Sequence, residues 1–224
     1  MTKFIRSLSP RAEFCIVVVP AFGLFVYASL SFVLRAHVPL TYAGLAVLPS
    51  LELVLMVLLA AFLRLRGWTL CRIGLVPEFN DIAFGVLLFA AAYAAWFLTF
   101  NIAVAVAPDV AQIVIVKAPS FAALGIPLWI LAVPSLINTV FEEAFETGYI
   151  VSALRRGGNI WPAIHVSVGI RLLCHLYQGP LGVLSTIPLG LIFAYWYART
   201  GRLWPLILAH AAMDMLALVA YSRM

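Results

Sequence analysis

Seven stretches of this chain, 14–34, 43–63, 82–106, 124–154, 160–178, 181–198 and 203–221, are apolar over lengths that a soluble core helix does not need. Crossing roughly 30 Å of hydrocarbon takes about 20 apolar residues as a helix, and a helix satisfies its own backbone groups where no water can. The chain is 65% hydrophobic and only 10% charged, with a mean hydropathy of +1.08. The expected fold is therefore all-α: one integral membrane domain over 1–224, a polytopic helix bundle of about seven spans. The fourth stretch is long for one straight crossing and carries Pro127 and Pro134, which predict a separate kinked or interfacial piece at its start.

Basic residues in the short loops set the orientation, because cytoplasmic segments collect Lys and Arg. With the N-terminus cytoplasmic, one side holds Lys3, Arg6, Arg11, Arg64, Arg66, Arg72, Arg155, Arg156, Arg199 and Arg202, and the other Arg35, Lys117 and Arg223. The net charge of +5 is then mostly this bias, which argues against nucleic-acid binding. The bilayer is the expected partner and the plasma (inner) membrane the expected location. An early basic segment also fits a signal peptide, but the following run is long and lacks a clean A-x-A site, so it reads as an uncleaved anchor. In the connector 64–81, Trp68, Leu70 and Ile73 are placed to enter the headgroup region. Loop 107–122 is the longest on the far side.

Cys15, Cys71 and Cys174 form no CxxC pair and no metal-ligand spacing, and read as free thiols buried among apolar residues. Cys174 precedes His175, but adjacent helix positions point about 100° apart, so a cysteine nucleophile is a poor reading.

A charge at the bilayer centre costs on the order of 3 kcal/mol, so such residues face the bundle interior and find partners. Here they cluster. The fourth stretch offers Asn138, Glu142, Glu143 and Glu146, the fifth Arg171 and His175, and the seventh His210 and Asp214. Glu142 with Glu146, Arg171 with His175, and His210 with Asp214 are i, i+4 pairs that each share a helix face. At about 1.5 Å per residue the seven titratable ones lie roughly 9–21 Å from the same end of their helices, depths compatible with one polar chamber. Glu52 stands alone in the second stretch. Pro188 and Gly190 in the sixth are positioned to kink it and leave room for a substrate. No serine in the set has a base at helical spacing. Carboxylates act as general bases, and imidazoles move protons or steady an oxyanion, so a water activated by carboxylate and histidine suits the set best.

Three motifs carry a resemblance. They are Glu142-Glu143-Ala-Phe-Glu-Thr147-Gly148-Tyr149, Arg171-Leu-Leu-Cys-His175 and His210-Ala-Ala-Met-Asp214. Their order resembles the EExxxR, FxxxH and HxxxN/D motifs of the CPBP (Abi, CAAX protease and bacteriocin-processing) family of intramembrane glutamic endopeptidases, over a core at about 122–220. The resemblance implies hydrolysis of a peptide bond in a membrane-associated or lipidated protein or peptide, without a cofactor. Glu142 would activate water with help from His175, Glu143 would support it, and His210 with Asp214 would stabilise the oxyanion. An ionised Asp214 is no donor, so it either fixes the tautomer of His210 or itself carries a proton. Glu and His are acceptable zinc ligands, but the resemblance implies metal-independent chemistry.

Two departures concern charge. Thr147 stands where the family has arginine, and Arg171 where it has phenylalanine. Taken as one change, they predict that Arg171 pairs with Glu142, Glu143 or Glu146 and restores the missing cation, with Glu146 as ion-pair partner or participant. Two other classes fit the same chamber. A non-catalytic scaffold or bacteriocin-immunity protein is favoured by the Thr147 departure. A proton-linked transporter is disfavoured by the short chain without visible inverted repeats.

Overall fold

The computed structural model describes residues 2–34, 42–111, 128–155 and 158–222. Arg35, Lys117, Pro127, Arg156 and Arg223, most of loop 107–122 and the start of the fourth stretch lie outside the described residues. Among the described residues the chain is mainly helical and has no strand. A short helix α1 (Thr2–Ser7) precedes α2 (Pro10–Leu34), α3 (Tyr42–Leu65), α4 (Asp81–Val106) and the single turn α5 (Pro108–Ala111). Next come α6 (Leu128–Glu142), a π-helical segment (Glu143–Tyr149) and α7 (Ile150–Leu154) as one unbroken helical run. The chain ends with α8 (Trp161–Cys174), α9 (Gly179–Thr200) and α10 (Trp204–Ser222).

Among the described residues, four helices are long and apolar enough to cross a membrane: Pro10–Leu34, Val47–Leu65, Asp81–Val106 and Leu176–Thr200. Trp161–Cys174 and Trp204–Ala220 are apolar but shorter. The protein is a helical membrane bundle, and its outer faces carry exposed residues such as Val57, Val86, Leu98 and Ile102. Local signals agree with the helix ends. Pro10, Pro162, Pro180 and Pro205 fall at the first or second helical position, where a missing N–H costs nothing. Gly201, at φ 69°, ends α9 in the left-handed conformation with its N–H on the Tyr197 carbonyl.

Several expectations are corrected. Helical bonding continues through Pro134 and α geometry is lost at Glu143–Tyr149, while the separate piece expected at the start of that stretch falls on residues outside those described. The fifth stretch stops being α-helical at Cys174, and a 3-10 turn (Leu176–Gln178) leads to Gly179 at φ 81°. Trp68 is buried in the bundle rather than set in the headgroups, because its indole N–H donates to Glu13 Oε1 at 3.0 Å. Cys15 and Cys71 are exposed and Cys174 is partly buried.

The connectors at one end of the bundle are tied together. Arg66 bonds Glu13 at 2.5 Å and also donates to the carbonyls of Ile5, Arg6 and Leu8. Leu203 N–H and the Trp204 indole reach the carbonyls of Gly74 and Leu75, and Arg202 pairs with Glu78 and Asp81. Gly74 is required there: a side chain at its φ of +74° would meet the Gly201 carbonyl. This clamp holds the start of α10 and the end of α3 while α6 packs between α3 and α10, and α8 between α2 and α9.

Candidate active site

The polar residues are inverted relative to a soluble protein. Thr139, Glu143, Glu146, Thr147, Ser167, Arg171 and His210 are all buried inside an apolar bundle. The π segment carries two of the carboxylates and begins directly after the third, Glu142. A π turn bonds i to i+5 and leaves a carbonyl to be satisfied from elsewhere. Here the Ile150 N–H bonds the carbonyls of Phe145 and Thr147, and the Ser167 hydroxyl on α8 donates to the Glu146 carbonyl at 2.8 Å. Gly148 packs against Leu203 of the α9–α10 connection, where an added Cβ would lie 3.1 Å from Leu203 Cδ1. The neighbouring helix and the connector thus sustain the widened turn.

Arg171 reaches all three carboxylates from α8. Its Nη2 donates to Glu143 Oε1 at 2.8 Å, Nε lies 3.1 Å from Glu146 Oε1, and Nη1 lies 3.8 Å from Glu142 Oε2. The counter-charge expected from the paired departures is therefore in place. Thr147 also belongs to the network, because its hydroxyl donates to Glu143 Oε2 at 2.9 Å and faces Arg171 Nη2 at 3.4 Å. Room for the guanidinium stem comes from α9: a Cβ on Gly190 would sit 3.4 Å from Arg171 Cδ and 3.3 Å from Val168 Cγ2. The space at Gly190 holds Arg171 rather than a substrate.

From α10, His210 Nδ1 lies 2.8 Å from Glu143 Oε1. Its Nε2 faces the other way, 4.0 Å from Glu142 Oε2 and 3.7 Å from Asp214 Oδ1. Glu143, and not Asp214, therefore sets the tautomer of His210. Asp214 instead accepts from Ser135 Oγ at 2.8 Å and Thr139 Oγ1 at 3.2 Å, both on α6. Sequence reasoning missed these two hydroxyls, although Ser135, Thr139, Glu143 and Thr147 recur every four residues. It also missed the partner of Glu52, which is Asn138, donating at 2.9 Å from one turn before Glu142.

The two adjacent glutamates differ in occupancy. Glu143 is fully buried, and both its oxygens hold hydrogen bonds, from Arg171, His210 and Thr147. Glu142 keeps 13% of its side chain exposed, and its buried Oε2 has no hydrogen-bond donor among the described residues. Both Glu146 oxygens likewise lack a hydrogen bond of good geometry despite the nearby arginine. His175 is held by the backbone of its own helix. It is the residue that ends α8, and its Nδ1 lies 2.8 Å from the Arg171 carbonyl. A carbonyl only accepts, so Nδ1 carries a proton, and Nε2 is the ring nitrogen that this bond leaves uncommitted. The ring stacks with Tyr177 at 6.1 Å. Tyr177 is in turn anchored by its N–H to Ser29 of α2. Among the described residues, no three His, Cys, Asp or Glu side chains are grouped to hold a metal ion.

No match to the chain was found among the curated proteins or among the solved structures. Residues 123–216 match the family model described as type II CAAX prenyl endopeptidase Rce1-like, a segment that holds all three motifs. Over residues 123–216, less than half of its length, the chain is therefore similar to Rce1-like type II CAAX prenyl endopeptidases.

Proposed function

We propose that the chain is an intramembrane endopeptidase that cleaves a peptide bond near the C-terminus of a prenylated, membrane-held protein, with Glu142 as the general base. The observation that carries this reading is the contrast between the two glutamates. Glu143 is saturated by Arg171, His210 and Thr147. Glu142 keeps a buried oxygen with no donor among the described residues, beside His210 Nε2. A carboxylate oxygen of that kind accepts a hydrogen bond from a water and takes its proton as the water attacks the scissile carbonyl.

In this mechanism the attack forms a C–O bond and places negative charge on the carbonyl oxygen. His210, when doubly protonated, donates through Nδ1 to Glu143 and offers Nε2–H to that oxyanion. Collapse of the tetrahedral intermediate breaks the C–N bond. The proton held by Glu142 passes to the leaving amine, giving one new carboxylate and one new amine. His175, with its tautomer set by the Arg171 carbonyl, offers Nε2 as a second acceptor for the water. Glu143 positions His210, Arg171 holds the carboxylates together against their mutual repulsion, and Asp214 with Ser135 and Thr139 orients the α10 side of the site.

The test is hydrolysis of a fluorogenic peptide ending in a prenylated CAAX sequence by protein in liposomes, with the unprenylated peptide and the His175→Ala variant in parallel. The reading expects cleavage of the prenylated peptide, slower cleavage of the bare one and a loss of about 10²-fold or more without His175. Absence of cleavage by the wild-type protein, or equal rates for His175→Ala, contradicts it.

A further inference from the structure

Away from the carboxylates, the end of the bundle that carries the basic connectors holds a cleft of about 350 Å³ lined by Arg6, Arg64, Leu65, Arg66 and Gly67. Its three arginines are not equivalent. Arg66 is committed: it pairs with Glu13 at 2.5 Å and donates to the carbonyls of Ile5, Arg6 and Leu8 at the end of α1. Those bonds cap the short helix and lock it beside the last turn of α3. The consequence is electrostatic. Arg6, on α1, and Arg64, in the last turn of α3, are brought to one cleft. Among the described residues neither has a carboxylate within salt-bridge distance, since the nearby Glu13 is engaged by Arg66 and Trp68.

Two guanidinium groups facing one cleft repel each other unless an anion lies between them, and guanidinium forks match phosphate oxygens in geometry as well as charge. The apolar surroundings say which phosphate. Leu65 lines the cleft and is exposed, and the exposed residues Leu58 and Val57 continue from it along the outer face of α3. A ligand lying there has an anionic head at the helix end and hydrocarbon along the span. We infer that this cleft binds the phosphate headgroup of an anionic lipid through Arg6 and Arg64, with its acyl chains against α3. The inference does not depend on the proposed proteolysis. It gives Arg66 a part beyond orientation, as the residue that builds the site without itself contacting the ligand.

Native mass spectrometry of the full chain in detergent tests this, with phosphatidylglycerol and phosphatidylcholine added separately and inorganic phosphate as competitor. Wild-type protein is expected to retain phosphatidylglycerol over phosphatidylcholine, and Arg6→Gln/Arg64→Gln to lower that retention at least about tenfold, as the loss of charge-assisted phosphate bonds requires. Arg199→Gln, which removes a charge lying over the Tyr195 ring outside the cleft, is expected to leave it unchanged. Should the double variant fold poorly, Arg6→Gln and Arg64→Gln taken singly are each expected to show a smaller loss. Equal retention of both lipids, or retention untouched in the variants, overturns the inference. Displacement of the lipid by low-millimolar inorganic phosphate overturns the lipid assignment, because the cleft is then a site for the free anion.

Discussion

Arg171 Nη2 meets Glu143 Oε1 at 2.8 Å across two helices, and this contact places a cation where the first motif of the chain has none. Arg171 is nearly fully buried, as are Glu143 and Glu146, so the cluster is held in a medium where an unmatched charge is costly. The guanidinium enters from α8 instead of from the glutamate helix, and Thr147 fills the space thus released with a hydroxyl.

Removing the cation alone leaves three carboxylates without it. Arg171→Phe is expected to destabilise the protein by about 3–5 kcal/mol, the usual effect of breaking a buried pair from one side. Adding Thr147→Arg on that background is expected to recover part of the stability and of the peptide cleavage. Thermal unfolding in detergent, with cleavage assays on the same samples, checks both. A double variant no better than Arg171→Phe contradicts the relocation.

Gly190 is predicted to matter through Arg171. A Cβ there lies 3.3–3.4 Å from Val168 and Arg171, so Gly190→Ala is expected to be mild, whereas Gly190→Leu is expected to cost about 1–3 kcal/mol as overpacking does. The loss should shrink on an Arg171→Ala background, a coupling that a double-mutant cycle of unfolding free energies measures.

Ser167→Ala removes the hydroxyl that donates to the Glu146 carbonyl in the π segment. Stability should fall by about 1 kcal/mol. Cleavage should fall with KM little changed, because the lost bond shapes the carboxylate turn and touches no substrate. Steady-state kinetics beside unfolding curves separates the two effects.

Asn138→Leu leaves the buried Glu52 without its amide donor and is expected to destabilise by about 1–3 kcal/mol. Replacing both residues by apolar ones, Glu52→Leu/Asn138→Leu, should restore much of that loss, as a thermal-shift series on the four proteins reveals.

The helices were readable because the length and apolarity of a span are local properties, and each of the seven stretches is helical where it is described. The grouping of Glu142, Glu143, Glu146, Arg171 and His210 was readable from the expense of charge in hydrocarbon, which drives such groups together whichever helices carry them. The π segment was not, because it depends on a hydroxyl from another helix and on Leu203 packed over Gly148. Nor was the place of His175, since the pattern of apolar residues runs past the point where Cys174 ends α8. The partners of Asp214 had a signal in the four-residue recurrence of Ser135, Thr139 and Glu143, which extends the carboxylate face by two turns. Trp68 was misplaced because a tryptophan among arginines is common at interfaces, and only the position of Glu13 draws it into the bundle.

The division of labour between the adjacent glutamates is tested most directly by kcat and unfolding temperature measured together for Glu142→Gln and Glu143→Gln in liposomes. The account predicts that Glu142→Gln folds as wild type and loses about 10²-fold or more in kcat, the scale of general-base catalysis. Glu143→Gln, which weakens the Arg171, His210 and Thr147 bonds at once, should lower the unfolding temperature. A Glu142→Gln protein that cleaves the prenylated peptide at the wild-type rate would contradict the account.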